Sequence, residues 1–417
     1  MESIRIQGGV ALQGKVRIQG SKNAALPILA ATLLNSESSL IRNCPRITDV
    51  HAMVSLLKGL GCSVNWQEGG LLIDSSCVKK AELCSEAATT MRSSLCLLGA
   101  LIGRCGEVVM EHPGGCVIGP RPINMHLTAL RQMGVEFKEE NGRLQAAAAR
   151  LCGAHIKLPF PSVGATENVL LAAVLAEGDT VLEGAALEPE ITALCRYLQC
   201  CGAQIEGIGT GQLVIHGGSR LFGTEFTVPP DRIVAGTYLF GCIGAGGSIF
   251  LEEAPCEEME AVLDIAQRMG GKLYTSSEGI YVQAPERPRA VERILTVPYP
   301  GFPTDLQSMA LAVAAIADGK SVVRETIFED RFRVVKEFRR MGAKMEEQGK
   351  DVVLVNGVET LRGACVEARE LRGGAALVVA GLMAQGETTV TGCKYIYRGY
   401  ENICRDFREL GARVTSA

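Results

Sequence analysis

The sequence predicts an α/β protein of two domains, each made of three pseudo-symmetric β-α-β-α-β-β units with helices inside and sheets outside. Three observations carry this reading. The chain has 417 residues, more than a single hydrophobic core usually supports. A helix-ending signature recurs six times at a nearly constant interval. Each repeat also holds a helix that is apolar on every side, which belongs in an interior.

The signature is an amphipathic segment closing in Leu or Met (once Cys), then Gly, then a short alternating run. Its glycines are Gly61, Gly134, Gly202, Gly270, Gly342 and Gly411, spaced 73, 68, 68, 72 and 69 residues apart. Each glycine is expected in the left-handed conformation that stops a helix, with a strand beginning just after it, as at Cys62-Ser63-Val64 and Ala343-Lys344-Met345. The apolar helices are read at Ala24 to Leu34, Leu95 to Ile102, Val169 to Ala176 and Leu311 to Ala317. Strands rich in β-branched residues follow them, such as Glu107-Val108-Val109 and Ser321-Val322-Val323. A period near 70 residues exceeds that of solenoid repeats, about 20 to 50, so compact threefold domains fit better. The Gly/Pro-rich stretch from Gly217 to Pro230 is read as the crossover between the halves.

Composition is globular, with 47% hydrophobic and 21% charged residues, and 48 glycines imply many tight turns. The net charge of −4 mixes 42 basic with 46 acidic residues, so no global field attracts nucleic acid or an anionic membrane. The 16 cysteines form no C-x-x-C pair, which favours a reducing cytoplasm over a disulfide scaffold. The N-terminus lacks the basic and apolar regions of a signal peptide, and the run from Gly373 to Ala384 is too short to span a bilayer. A cytoplasmic location without membrane insertion is expected. With five histidines and no His/Cys cluster, neither a metal nor a cofactor is expected.

The start of each buried helix is polar: Ser21-Lys22-Asn23, Thr90 to Ser93, Ser162 to Thr166, Asp231-Arg232, Thr304-Asp305 and Leu371-Arg372-Gly373. Five of these contain a Ser, Thr, Asp or Asn able to cap, and four contain a cation. Free N–H groups and the positive end of the helix dipole make such starts anion sites. Converging on the cleft between the two halves, they would hold phosphate or carboxylate ligands. The loop from Pro113 to Pro122 has six Gly or Pro residues in ten and presents one thiol, Cys116, with Arg121 five residues on. A loop cysteine near cations is where a thiolate becomes accessible, whereas Cys96 and Cys195 lie in apolar patterns and read as core.

Several motifs, taken together and in order, resemble the enolpyruvyl transferase family, in its UDP-N-acetylglucosamine 1-carboxyvinyltransferase branch. They are Ser21 to Pro27, the Gly-Gly-Cys loop, Ser162 to Asn168, Phe302-Pro303-Thr304-Asp305, Phe328 to Phe332 and Arg398-Gly399-Tyr400-Glu401. The resemblance spans essentially the whole chain. It implies a pair of inside-out α/β domains, residues 22–229 forming one and 1–21 plus 230–417 the other. It also implies transfer of enolpyruvyl from phosphoenolpyruvate to the 3-hydroxyl of UDP-N-acetylglucosamine, with release of phosphate, in peptidoglycan precursor synthesis.

On that resemblance Asp305 is the base and Cys116 the acid that protonates C3. Lys22, Arg121 and Arg398 surround the phosphate and carboxylate of phosphoenolpyruvate. Arg92, Arg121, Pro122, Ile123, Asn124 and Met125, with Ser162, Val163 and Gly164, match positions that hold the uridine and diphosphate. Ile327 matches a nucleotide-sugar contact, Asn23 a contact near the reacting centre, and Arg331 and Arg372 active-site cations. The chain departs from the family pattern at Glu370, where Asp is usual, at Asp330 in place of Asn, at Tyr397 in place of an acid, and at Phe160-Pro161, where some members have Lys. These changes bear on the electrostatics and closure of the cleft. Two other readings are the related transferase acting on shikimate 3-phosphate, which lacks the cysteine loop, and a non-catalytic paralogue that binds a nucleotide sugar.

Overall fold

Among the described residues, six four-stranded sheets and six buried helices make up most of the structure. The computed structural model describes residues 3–78, 81–83, 92–111, 122–140 and 142–416, without the Ser93 side chain. The buried helices are α1 (Lys22–Ala31), α2 (Cys96–Cys105), α3 (Val163–Ala173), α4 (Arg232–Ala245), α5 (Gln307–Ala314) and α6 (Leu371–Met383). Their sequences offer no polar stripe: every residue of α6 is buried, and so is α4 from Arg232 to Ile243. A helix apolar all round is stable only inside.

Each repeat also carries an amphipathic helix, as at Thr48–Gly59 and Pro189–Cys200, that buries one face only. The six signature glycines follow these helices with φ between 83° and 106°, a region open to glycine and strained for other residues. Strands start immediately afterwards, for example Ser63–Gln67 and Lys344–Gln348.

Within each sheet the strands of a unit are ordered first, second, fourth, third. The first pair is parallel across a buried helix, as for His155–Lys157 with Asp179–Glu183, and the rest are antiparallel. Alternation sets which side faces the helices: Val108 and Met110 of Glu107–Glu111 are buried, whereas Glu107 is exposed. This is the period of two expected of a half-buried strand.

Three sheets draw a strand from distant sequence. Leu12–Arg17 pairs parallel with Gly247–Glu252, and Ser3–Gln7 lies between Glu387–Thr391 and Arg413–Ser416. Glu225–Thr227 pairs parallel with Ser38–Arg42. The stretch read from sequence as a plain crossover therefore contains the first strand of the first unit. Its Gly and Pro residues masked a strand of only three residues.

The chain divides into two compact units, a discontinuous one of residues 3–19 with 230–416 and one that takes all the described residues from 20 to 229, continuous in that sense. Each has its own hydrophobic core. In the discontinuous unit α4, α5 and α6 contact one another pairwise; in the continuous unit α2 contacts both α1 and α3. No described helix is long and apolar enough to cross a membrane.

One buried polar contact ties the core of the discontinuous unit to its outer helix. The Tyr238 hydroxyl, inside α4, donates to Asp406 Oδ2 at 2.6 Å, and Arg405 holds the other oxygen. Burial, and then the Asp406 charge, push the Tyr238 phenol well above its usual range, so it remains a donor. Tyr238→Phe is expected to cost about 2 kcal/mol, read as a lower urea midpoint; an unchanged midpoint would show that the bond adds nothing.

Candidate active site

In the discontinuous unit the chain enters α5 through an extended Pro303 and a short 3-10 turn, Thr304–Leu306. This places Asp305 at the mouth of a buried helix. Its carboxylate bridges two buried guanidinium groups: Oδ1 is 2.7 Å from Arg331 Nη2 and Oδ2 is 2.8 Å from Arg372 Nη2. Arg331 opens the turn Arg331–Val334, donates also to the Thr304 carbonyl at 3.3 Å and lies over the Phe328 ring at 5.6 Å. Burial disfavours the Arg372 charge most strongly, but Asp305, Tyr400 and Asp231 together outweigh it and hold the guanidinium above its usual pKa. Arg372 Nη1 is buried with no hydrogen-bond partner among the described residues.

Glu370 caps α6, its carboxylate accepting from the backbone N–H of Arg372 at 2.8 Å and from that of Gly373. The same carboxylate lies 3.5 Å from Arg331 Nη1. One side chain thus orients both arginines, one through its backbone and one through its charge. Glu325 fixes the neighbouring loop, accepting from the N–H groups of Ile327 at 2.8 Å and Phe328 at 3.1 Å and from the Thr304 hydroxyl at 2.9 Å. Arg398 ends the turn Cys393–Arg398, and the Gln19 side chain ties the next residues by bonding the Gly399 carbonyl and the Glu401 N–H.

In the continuous unit Ser21 caps α1 through the Ala24 N–H, placing Lys22 and Asn23 in its first turn. Lys22 Nζ is 3.1 Å from the buried carboxylate of Asp49, in the first turn of the Thr48–Gly59 helix. Ser162 caps α3 through the Ala165 N–H, so Val163 and Gly164 form the helix start. Pro122 and Ile123 lead into the Asn124–Gln132 helix, which carries Asn124 and Met125 in its first turn. Its residue His126 packs on Gly164: a Cβ added there would lie 2.8 Å from the His126 Cε1. Arg92 opens the turn Arg92–Leu95 that leads into α2.

The structure therefore joins Asp305, Arg331 and Arg372 in one network, with Ile327 held beside it through Glu325. It joins the Ser162–Gly164 start to the segment holding Asn124 and Met125. Cys116 and Arg121 lie outside the described residues. The core reading of Cys96 and Cys195 holds: both are buried, burial raises the Cys195 thiol to about 12, and burial with Glu167 pushes Cys96 well up.

One capping expectation needs correction, and one helix start gains a cap that the sequence reading did not assign. Thr304 does not cap α5, because its hydroxyl is spent on Glu325. α6, whose start has no Ser, Thr, Asp or Asn, is capped by Glu370 instead. The longer Glu side chain still reaches the helix N–H groups, so this departure from the family pattern keeps a capping carboxylate. Asp330 pairs with exposed Arg333 at 2.9 Å, which accounts for its charge outside the Asp305 network.

Sequence reasoning missed Asp49, Glu325, His126 and Asn168 as parts of these sites. For Asp49 a signal existed, an acid in the first turn of a predicted helix. For Glu325 none did, since its partners are backbone groups of a loop. Among the described residues no three His, Cys, Asp or Glu side chains are grouped to hold a metal ion.

The chain and its fold match known proteins. The fold is that of the enolpyruvyl transferase NikO from Streptomyces tendae, with a TM-score of 0.89 at 24% identity, covering 100% of this chain and 99% of that one. EPSP synthase from Acinetobacter baumannii matches at 0.76 and 20%, with both chains fully covered. The family profile of EPSP synthase (3-phosphoshikimate 1-carboxyvinyltransferase) matches residues 6–407. UDP-N-acetylglucosamine 1-carboxyvinyltransferase 2 of Caldanaerobacter subterraneus is 45% identical over 99% of both chains. The UDP-N-acetylglucosamine 1-carboxyvinyltransferase of Nitratidesulfovibrio vulgaris is 44% identical over the same share. The chain belongs to this enolpyruvyl transferase family, among its UDP-N-acetylglucosamine 1-carboxyvinyltransferases.

Proposed function

We propose that the protein transfers the enolpyruvyl group of phosphoenolpyruvate to the 3-hydroxyl of UDP-N-acetylglucosamine, releasing phosphate, in the cytoplasm and as a step of peptidoglycan precursor synthesis. The observation that carries the reading is the Asp305 carboxylate, held between two buried guanidinium groups at the mouth of a buried helix. Full-length similarity to transferases of that name supports it. The fourteen described cysteines are all free thiols, in keeping with a reducing compartment.

In the first step the sugar oxygen bonds to C2 of phosphoenolpyruvate, Asp305 takes the hydroxyl proton and Cys116 delivers one to C3. In the second the bond from C2 to the phosphate oxygen breaks, C3 loses a proton, the double bond re-forms and inorganic phosphate leaves. Asp305 suits the base role because each of its oxygens is oriented by a fixed partner, so the carboxylate needs little reorganisation to meet a hydroxyl. Lys22, Arg121 and Arg398 neutralise the phosphate and carboxylate as charge develops, and Arg331 and Arg372 add positive charge around the base. The unpartnered Nη1 of Arg372 is a buried donor that an anionic substrate oxygen would satisfy.

Arg92, Pro122 to Met125, and the α3 start at Ser162, Val163 and Gly164 hold the nucleotide, where free N–H groups at a helix start suit a diphosphate. Asn23 and Ile327 contact the sugar side.

The purified chain, given UDP-N-acetylglucosamine and phosphoenolpyruvate, is expected to release inorganic phosphate, and to release none when shikimate 3-phosphate replaces the nucleotide sugar. Binding of the nucleotide sugar without phosphate release would instead indicate a non-catalytic binding protein. Release with shikimate 3-phosphate would assign the other transferase activity.

A further inference from the structure

We infer that Asn168 is a positioning residue for nucleotide-sugar binding, acting through a fixed tautomer of His126. Asn168 lies in α3, fully buried, and its side-chain amide makes three hydrogen bonds to three different helices. Oδ1 accepts from the Gly99 N–H of α2 at 2.7 Å. Nδ2 donates to the Gly164 carbonyl in the first turn of its own helix at 3.1 Å. Nδ2 also lies 3.0 Å from His126 Nδ1, on the Asn124–Gln132 helix.

The first two bonds settle the third. A backbone N–H can only donate and a carbonyl can only accept, so the amide has one orientation, with its NH2 group toward Gly164 and His126. His126 Nδ1 therefore faces a donor and must accept, which leaves the ring proton on Nε2. The ring is also fixed in place, because it packs on the Cα side of Gly164 where no side chain fits. One amide thus locks the α3 start, Ser162 to Gly164, against the helix that carries Asn124 and Met125. These are the segments proposed above to hold the nucleotide, and the inference rests on that reading for its functional half. Asn168 itself, deep in the helix, acts on substrate only through its neighbours, as outer partners of a ligand shell commonly do.

The test has two independent parts. Nitrogen-15 imidazole spectra of the full chain should show His126 as the Nε2–H tautomer, becoming a mixture in Asn168→Ala. An Nδ1–H tautomer in the unmodified protein would overturn the inference whatever the reaction proves to be. Kinetically, Asn168→Ala should raise KM for UDP-N-acetylglucosamine by about tenfold or more, leaving kcat and KM for phosphoenolpyruvate within about twofold. His126→Phe, which leaves the Gly99 and Gly164 bonds in place, should give the same selective rise and serves if Asn168→Ala does not fold. A folded variant with unchanged KM for the nucleotide sugar would overturn the inference, as would parallel losses in every kinetic constant, which mark a purely structural role. If neither protein turns over UDP-N-acetylglucosamine, the tautomer spectra and calorimetric binding of the nucleotide sugar decide the inference separately from the proposed reaction.

Discussion

Asp305→Asn is expected to lower kcat by about 10² to 10⁴-fold, the range lost when a general base is removed. The amide is nearly isosteric, so the change is chemical. It removes the charge proposed to accept a proton, and it turns one oxygen facing a guanidinium into a second donor. Either Arg331 at 2.7 Å or Arg372 at 2.8 Å then faces an N–H group and must shift. KM for phosphoenolpyruvate should therefore also change, because Arg372 is proposed to offer its Nη1 to an anionic substrate oxygen. Rapid-quench measurement of phosphate release, beside calorimetric binding of UDP-N-acetylglucosamine, separates the two effects. A variant that still binds and turns over at the normal rate would remove Asp305 as the base.

The second large effect is on stability. Gly99→Ala should destabilise the fold by about 1–3 kcal/mol, the usual cost of overpacking a core. In an ordinary helix the same change is favourable by roughly 0.5–1 kcal/mol, since glycine is a poor helix former. Here the added Cβ would lie 2.3 Å from the Asn168 carbonyl oxygen and 2.9 Å from its Cα. Those are backbone atoms, so relief requires α2 and α3 to separate, which stretches the Gly99 to Asn168 bond as well. Gly59→Ala provides the contrast, as nothing lies within 4 Å of a Cβ at Gly59, the exposed last residue of an amphipathic helix. Urea unfolding should move the two midpoints in opposite directions. If both rise, the α2–α3 contact is looser than its geometry requires.

The two effects fall on parts of the protein that differed in how legible they were beforehand. The six glycines after the amphipathic helices were readable because a helix stop makes a local demand, a positive φ, that one residue type meets best. The buried helices were readable because an unbroken apolar surface leaves no solvent-facing side. Asp305, Arg331 and Arg372 could be named from their motifs, but not their pairing, since the arginines lie 26 and 67 residues from the carboxylate they share. Glu370 was visible only as an unusual residue, and its work as a cap emerged once the start of α6 was placed.

Sequence by itself thus determined the α/β repeat, its period, the helices that must be interior and the residue types at their polar starts. Each of these follows from forces acting within a few residues. Tertiary structure decided the rest. It set which distant strands complete the sheets, as Ser3–Gln7 and Glu225–Thr227 do. It gave Lys22 to Asp49, and it brought His126, Asn168 and Gly99 to one point. Hydrogen bonds and ion pairs depend on separation in space, and the packing of whole helices and sheets sets that separation.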